Sequence, residues 1–401
     1  MTEPTSAATD RDGIGTLRAA LTLLVVAHHT ALVYHPFAPP PQPSLLASPF
    51  WQAFPVVDAH RWSGALWLTA FNDTFFMSLM FLISGLFVWK SLTAKGGARY
   101  LRDRARRLGL PFLVSAAVLA PLAYVPSYLQ TGAGGSWSGF WQQWLALESW
   151  PAGPAWFLWV LLAFNVVAVA LYGVAQRWGE SLGRVFACAA RRPLVVFAIV
   201  ISASAAAYVP LALAYTGFRW SALGPFAFQT SRVLHYAVYF AVGVGLGAAG
   251  LERGLLAAGG RLAARWPLWL AGAAVAFGLA IEATTRDLTS GGARAWQIAD
   301  ALGFVAACAA QSFAFLACFR RVAPLRSPVL ASLRRNAYAI YVVHYAFVSW
   351  LAYALLDAPL PGLVKASVVF TGAVAASWAT AAGLRRLARR DRATLVASPP
   401  A

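Results

Sequence analysis

Acidic side chains are scarce in this chain. Asp and Glu together number 14 among 401 residues, and all charged residues make up only 11%. A soluble domain carries about 25% charge, so a water-soluble globular fold is excluded. Cysteine is rare as well. Cys188, Cys308 and Cys318 lie in or beside apolar stretches, match no metal or redox spacing and predict no disulfide. HExxH, the P-loop and CxxC are all missing, so neither a catalytic metal nor a nucleotide-hydrolysing site is expected. The residues before Asp12, MTEPTSAATD, hold no apolar run, so no cleavable signal peptide is expected and the first apolar stretch is retained. Internal repeats and inverted halves are also missing, which counts against a transporter.

What the chain does have is apolar length. Hydrophobic residues make up 60%, and the mean hydropathy is +0.62. A membrane-crossing helix needs about 20 mostly apolar residues. Ten stretches qualify, near 15–34, 65–89, 109–129, 155–175, 193–214, 231–250, 267–283, 298–319, 337–356 and 362–384. The seventh is short and ends at Glu282. The net charge is +18. In a soluble protein that would suggest nucleic acid, but here the cations alternate with the apolar stretches. Of 32 Lys and Arg, 26 fall at the amino end and in Lys90–Arg107, Arg177–Arg192, Arg253–Arg265, Arg320–Arg335 and Arg385–Arg392. The alternate segments hold only six: Arg61, Arg219, Arg232, Arg286, Arg294 and Lys365. Under the positive-inside rule this predicts an all-α polytopic membrane protein with about ten transmembrane helices and both termini cytoplasmic. Residues 1–13 form a cytoplasmic tail, 14–386 the transmembrane domain and 387–401 a basic cytoplasmic tail. No nucleic-acid partner is expected; the bilayer of a cell inner membrane is.

Two loops, near 35–64 and 130–154, are rich in Pro, Gly and Trp. They fall on the exoplasmic side of this topology. Their aromatics read as an interfacial belt or as a stacking surface for a sugar or lipid head group.

Arg18 and His29 lie in the first apolar stretch, LRAALTLLVVAHH. Eleven residues at about 100° each bring both onto one helix face, ~16 Å apart. Ionisable residues inside a membrane are costly and therefore usually functional. His28 points about 100° away from that face. The alternative for His29 is an imidazole packed between helices. Asp73, in AFNDTFFMSLMFLISG, falls at a depth similar to His29 and could orient a general base; it could equally pair with an Arg or cap a backbone amide. Arg104 and Arg107, in RYLRDRARRLGLPF, are three apart and share a face if helical. They read as a topology signal or as a phosphate clamp. Farther on, RNAYAIYVVHY places Tyr341 and His344 on one face, with Asn336 as a helix-start residue. Glu282, Asp300, His235 and Arg232 are further charges towards the exoplasmic half.

Taken together these stretches resemble the acyltransferase-3 family of polytopic membrane acyltransferases, from Leu17 to about Trp350. Arg18 and His29 meet its Arg, ten residues, His pattern. Phe75, Phe76, Ser84 and Gly85 meet the Phe-rich span ending in Ser-Gly. Arg104, Arg107 and Pro111 meet the basic pair before proline. Trp156, Phe157 and Leu158 meet the Trp-Phe-Leu start, and Tyr338, Tyr341 and His344 the Tyr-x-x-Tyr-x-x-His ending. RLGLPF and PAWFLWVLL are similar to the glucan-succinylating branch. The resemblance implies transfer of an acyl group from cytoplasmic acyl-CoA, a co-substrate rather than a resident cofactor. The acceptor would be a hydroxyl of an exported glycan, lipid or small molecule. His29 would be the base, Asp73 its orienter, and Arg18, Arg104 and Arg107 the donor-binding cations. Asn72, Ser84, Trp156, Tyr341 and His344 would line the site, with Tyr341 or Asn72 as candidates for the oxyanion. No permanent cofactor or metal is implied. A multi-span transporter or flippase without covalent chemistry is the competing reading.

Overall fold

The structure is a computed structural model that describes residues 6–47, 52–132, 134–190, 192–251, 254–322 and 327–397. Its helices are α1 (Ser6–Val33), α2 (Ser63–Gly85), α3 (Val88–Lys95), α4 (Gly97–Arg104), α5 (Leu110–Val114), α6 (Ala120–Gln130), α7 (Trp137–Leu145) and α8 (Trp156–Ala190). They continue with α9 (Pro193–Tyr215), α10 (Val233–Ala249), α11 (Arg261–Ala264), α12 (Trp266–Thr289), α13 (Arg294–Val322), α14 (Pro328–Ala354) and α15 (Gly362–Ala397). Among the described residues nine helical stretches are long and apolar enough to cross a membrane. A tenth apolar helix, α10, has 17 residues. Each of the ten expected stretches therefore falls on an apolar helix, and the protein is an all-α polytopic membrane protein.

Three departures from the expected pattern have physical causes. The seventh stretch does not stop at Glu282. Arg286, one turn on, donates to that carboxylate at 2.7 Å, so the charge sits within an i,i+4 pair and the helix runs to Thr289. Between α9 and α10 the chain forms a small hairpin, β1 (Trp220–Leu223) against β2 (Phe226–Gln229), antiparallel with Leu223 opposite Phe226. Gly224, at φ +55°, and Pro225 make its two-residue turn, a positive φ that glycine adopts without strain. Finally, π turns occupy Ala105–Gly109 and Ser115–Leu119. Leu110 N–H bonds to Ala105 O and Ala120 N–H to Ser115 O, each five residues back. The next residue in each case is a proline, Pro111 or Pro121. A proline ring crowds the carbonyl four residues back and offers no N–H; a wider turn relieves both. Such turns recur at functional sites.

The chain forms two compact units. One comprises Met1–Leu21, Ala70–Phe112 and Trp156–Arg326; the other comprises Thr22–Thr69, Leu113–Ala155 and Ser327–Ala401. In the first, α12 lies along α13, α13 packs on α9, and α10 packs on α8 and α9. A Cβ added at Gly243 or Gly247 would collide with Leu82 O or Leu86 O, and one at Gly85 with Phe240 O. These glycines let two backbones touch, the usual way for membrane helices to associate without a hydrophobic driving force.

In the second unit α14 packs on α15 and α6. Val26, Val33, Ile340, Val348, Val369 and Ala373 form one buried core. Tyr124, Tyr128, Phe140, Trp144 and Tyr345 form another. The loop after α1 is pinned to this unit. Asp58 N–H bonds to Val33 O and Trp62 N–H to Tyr34 O. Lys365 Nζ meets Asp58 Oδ2 at 2.8 Å, with both side chains wholly buried. Arg61 donates to His35 O at 3.2 Å. Burial, and then the Arg61 guanidinium, hold the His35 imidazole below its ordinary range.

Candidate active site

The second unit gathers five of the six histidines, all but His235. α1 carries His28 and His29 near its end, and α14 carries Tyr341, His344 and Tyr345. His344 is fully buried, whereas His29 is half-buried. His344 Nε2 lies 3.2 Å from His29 Nδ1, and the ring centroids are 5.1 Å apart.

Backbone carbonyls fix the protons on this pair. His344 Nδ1 lies 2.7 Å from Tyr341 O, and His29 Nδ1 lies 2.8 Å from Val25 O. A carbonyl only accepts, so each Nδ1 carries its hydrogen. His344 Nε2 is then an acceptor, and the His29 Nδ1–H is shared between it and Val25 O. This leaves the His29 Nε2 lone pair as the basic atom of the site. His28 meets His29 only edge to face, with centroids 5.5 Å apart.

Around the pair stand phenols. The Tyr345 ring meets His29 edge to face at 4.9 Å. Its hydroxyl lies 3.3 Å from that of Tyr124, which donates to Gln52 O at 2.8 Å. The buried Tyr341 hydroxyl donates to Pro154 O, so its proton is engaged by a carbonyl. Tyr345 was not among the sequence candidates. The spacing of Tyr338, Tyr341 and Tyr345 at three and four residues on one helix face is the signal that could have found it.

The remaining candidates fall in the first unit. Asp73 Oδ2 pairs with Arg232 Nη2 at 2.8 Å, and Arg232 lies over the Phe304 ring at 4.6 Å. The Arg partner weighed for Asp73 is therefore Arg232. Asn72 is buried. Ser84 Oγ bonds back to Met80 O at 2.8 Å, and its neighbour Gly85 serves the contact with α10. Trp156 stands in an aromatic nest with Trp220 at 5.5 Å and Tyr236 at 5.7 Å. Arg18 and Arg107 are exposed, and Arg104 is half-buried over the Tyr100 ring at 4.9 Å.

Two expectations are corrected. Arg104 and Arg107 do not share a regular helical face, because Arg107 lies inside the π turn Ala105–Gly109, where the winding no longer stacks residues three apart. Asn336 does not start a helix: α14 begins at Pro328, after Ser327. Asn336 lies over two turns inside and donates to Ser332 O at 2.9 Å. Of the other charges weighed, His235 is wholly buried, with Nε2 3.4 Å from Cys308 Sγ. Asp300 accepts from Thr284. Among the described residues no group of three or more His, Cys, Asp or Glu could hold a metal ion.

A bundle of apolar helices carrying a half-buried imidazole backed by a fully buried one defines a polytopic membrane protein with the makings of a proton-transfer site. The family described as an acyltransferase domain matches residues 11–382, and the chain belongs to this acyltransferase-3 family. It is similar to glucans biosynthesis protein C of Escherichia coli K12 and of strain SMS-3-5. Each is 24% identical over 169 residues, covering 40% of this chain and 38% of the relative. The chain thus matches less than half the length of these relatives. No solved structure matches.

Proposed function

We propose that this chain is an inner-membrane O-acyltransferase that moves an acyl group from cytoplasmic acyl-CoA to a hydroxyl of an exported glycan, lipid or small molecule. The observation that carries the proposal is the His29–His344 pair, 3.2 Å apart, with the His29 Nε2 lone pair left basic. His29 Nε2 takes the proton of the acceptor hydroxyl. The hydroxyl oxygen bonds to the acyl carbon, the carbon–sulfur bond breaks, and the proton passes from His29 to the departing thiolate. The cation formed on His29 is shared with His344 through the Nδ1–H. His344 sits deeper, with its own Nδ1–H on Tyr341 O.

We assign to His344 the orienting role expected of Asp73, whose carboxylate is held by Arg232. Arg18, Arg104 and Arg107 supply cations for the donor phosphates, because guanidinium matches phosphate as a bidentate fork. The two relatives are named for glucan biosynthesis, which makes a glucan hydroxyl the first acceptor to test.

The purified chain, given acetyl-CoA or succinyl-CoA and an oligoglucoside, is expected to release free thiol in step with ester formation. If it releases no thiol while labelled oligoglucoside accumulates in vesicles containing it, the competing transporter reading replaces the enzyme.

A further inference from the structure

The histidine pair supplies a base, but acyl transfer also needs a donor for the oxygen that becomes negative when the acyl carbon turns tetrahedral. Tyr341, a sequence candidate for that task, donates its hydroxyl proton to Pro154 O. We propose that Tyr345 is the oxyanion donor of this site. The inference rests on the acyl-transfer reading above.

The direction of the phenol chain carries it. Tyr124 O–H donates to Gln52 O at 2.8 Å, a carbonyl that can only accept. The Tyr124 oxygen is therefore the acceptor in its contact with Tyr345, and Tyr345 O–H is the donor. That contact is 3.3 Å long, well beyond the usual 2.7–2.8 Å of an O–H···O bond. The Tyr345 proton is thus parked on a weak neutral partner. An O–H···O⁻ bond is shorter and roughly twice as strong, so the hydroxyl turns from Tyr124 to a forming oxyanion at little cost. When the intermediate collapses, the hydroxyl turns back to Tyr124; its hydrogen stays on the Tyr345 oxygen throughout.

The ring itself is held in place. Its edge-to-face contact with His29 at 4.9 Å keeps it beside the base. On another side stands Gly153, at φ +52°, where an added Cβ would lie 3.0 Å from Tyr345 Cδ1. A side chain at Gly153 would be strained and would push the ring. The ring is thus fixed in advance and only the hydroxyl hydrogen has to turn; removing one oxyanion donor typically costs about 10²–10³-fold in kcat.

The test is steady-state transfer by the full chain in detergent or vesicles, with thiol release from acetyl-CoA or succinyl-CoA as the readout. Tyr345→Phe keeps the ring contacts and removes the donor. It is expected to lower kcat by about 10²-fold or more, with the donor KM and the melting transition near those of the unaltered protein. Tyr124→Phe removes the resting partner together with the bond to Gln52 O but leaves the Tyr345 donor in place, so its kcat is expected to stay well above that of Tyr345→Phe.

A ring-fluorinated tyrosine at 345 preserves shape while making the phenol more acidic. At one fixed pH, kcat is expected to follow the strengthening of the donor along a series of ring fluorinations, whereas a packing role would leave kcat unchanged along it. Wild-type kcat in Tyr345→Phe, alongside loss of transfer in His29→Ala, overturns the assignment of Tyr345 alone. Transfer that survives both substitutions overturns it together with the reading of His29.

Discussion

Replacing His29 by Ala is expected to slow acyl transfer by about 10²–10⁴-fold, the usual contribution of a general base, while the chain still inserts and binds its donor. Val25 O and His344 Nε2 both face His29 Nδ1, at 2.8 Å and 3.2 Å. The other ring nitrogen, Nε2, is therefore the one without a proton. His28→Ala should be much milder, because its ring contacts His29 only edge to face. His344→Ala should fall between the two: it removes the partner that shares the positive charge and leaves the basic atom in place. Initial rates at matched protein levels check the order. A fully active His29→Ala beside an inactive His28→Ala would reverse the assignment.

The second large effect concerns stability. Lys365 and Asp58 are wholly buried and 2.8 Å apart. Lys365 also donates to Leu356 O at 2.9 Å and to His60 Nδ1 at 3.2 Å, so its three ammonium hydrogens all have acceptors. Asp58 in turn accepts from His60 N–H at 2.8 Å. Removing one partner leaves the other charge buried alone. Lys365→Met is therefore expected to destabilise the protein by about 3–5 kcal/mol. Pairing it with Asp58→Leu should recover most of that loss, since apolar replacement of a whole buried ion pair is often neutral. Thermal unfolding in detergent micelles reads both variants. A single variant within about 1 kcal/mol of the unaltered protein would mean that the pair behaves as a surface bridge.

The bundle was legible because membrane helices must satisfy their backbones internally and face lipid with apolar side chains. Length and hydropathy alone thus locate ten segments. His29 and His344 stand out in the sequence for a related reason: an ionisable group inside an apolar stretch is costly. By the same rule Lys365, only a few residues into its stretch, could have been singled out; it was counted only as one of six minority cations. Its partner Asp58 sits in a Pro-rich loop with no periodic pattern to place it.

The meeting of His29 with His344 spans 315 residues and left no local trace. Matching depth in two successive spans, which points to Asp73, is visible in a sequence, whereas the pairing of α1 with α14 is not. Tyr345 was hidden beside a histidine that drew the reading to itself. The π turns leave no apolar or charge signal; only Pro111 and Pro121, rings that a helix must accommodate, mark them in the sequence.

The proposed base is tested most directly by the protonation of its two nitrogens. With histidine labelled in the ring nitrogens and His29 assigned by comparison with His29→Ala, magnetic resonance of the protein in bilayers at neutral pH reports which nitrogen holds hydrogen. The predicted result is a neutral His29 with hydrogen on Nδ1 and none on Nε2, and a His344 with hydrogen on Nδ1. A His29 protonated at Nε2 would contradict the proposed base.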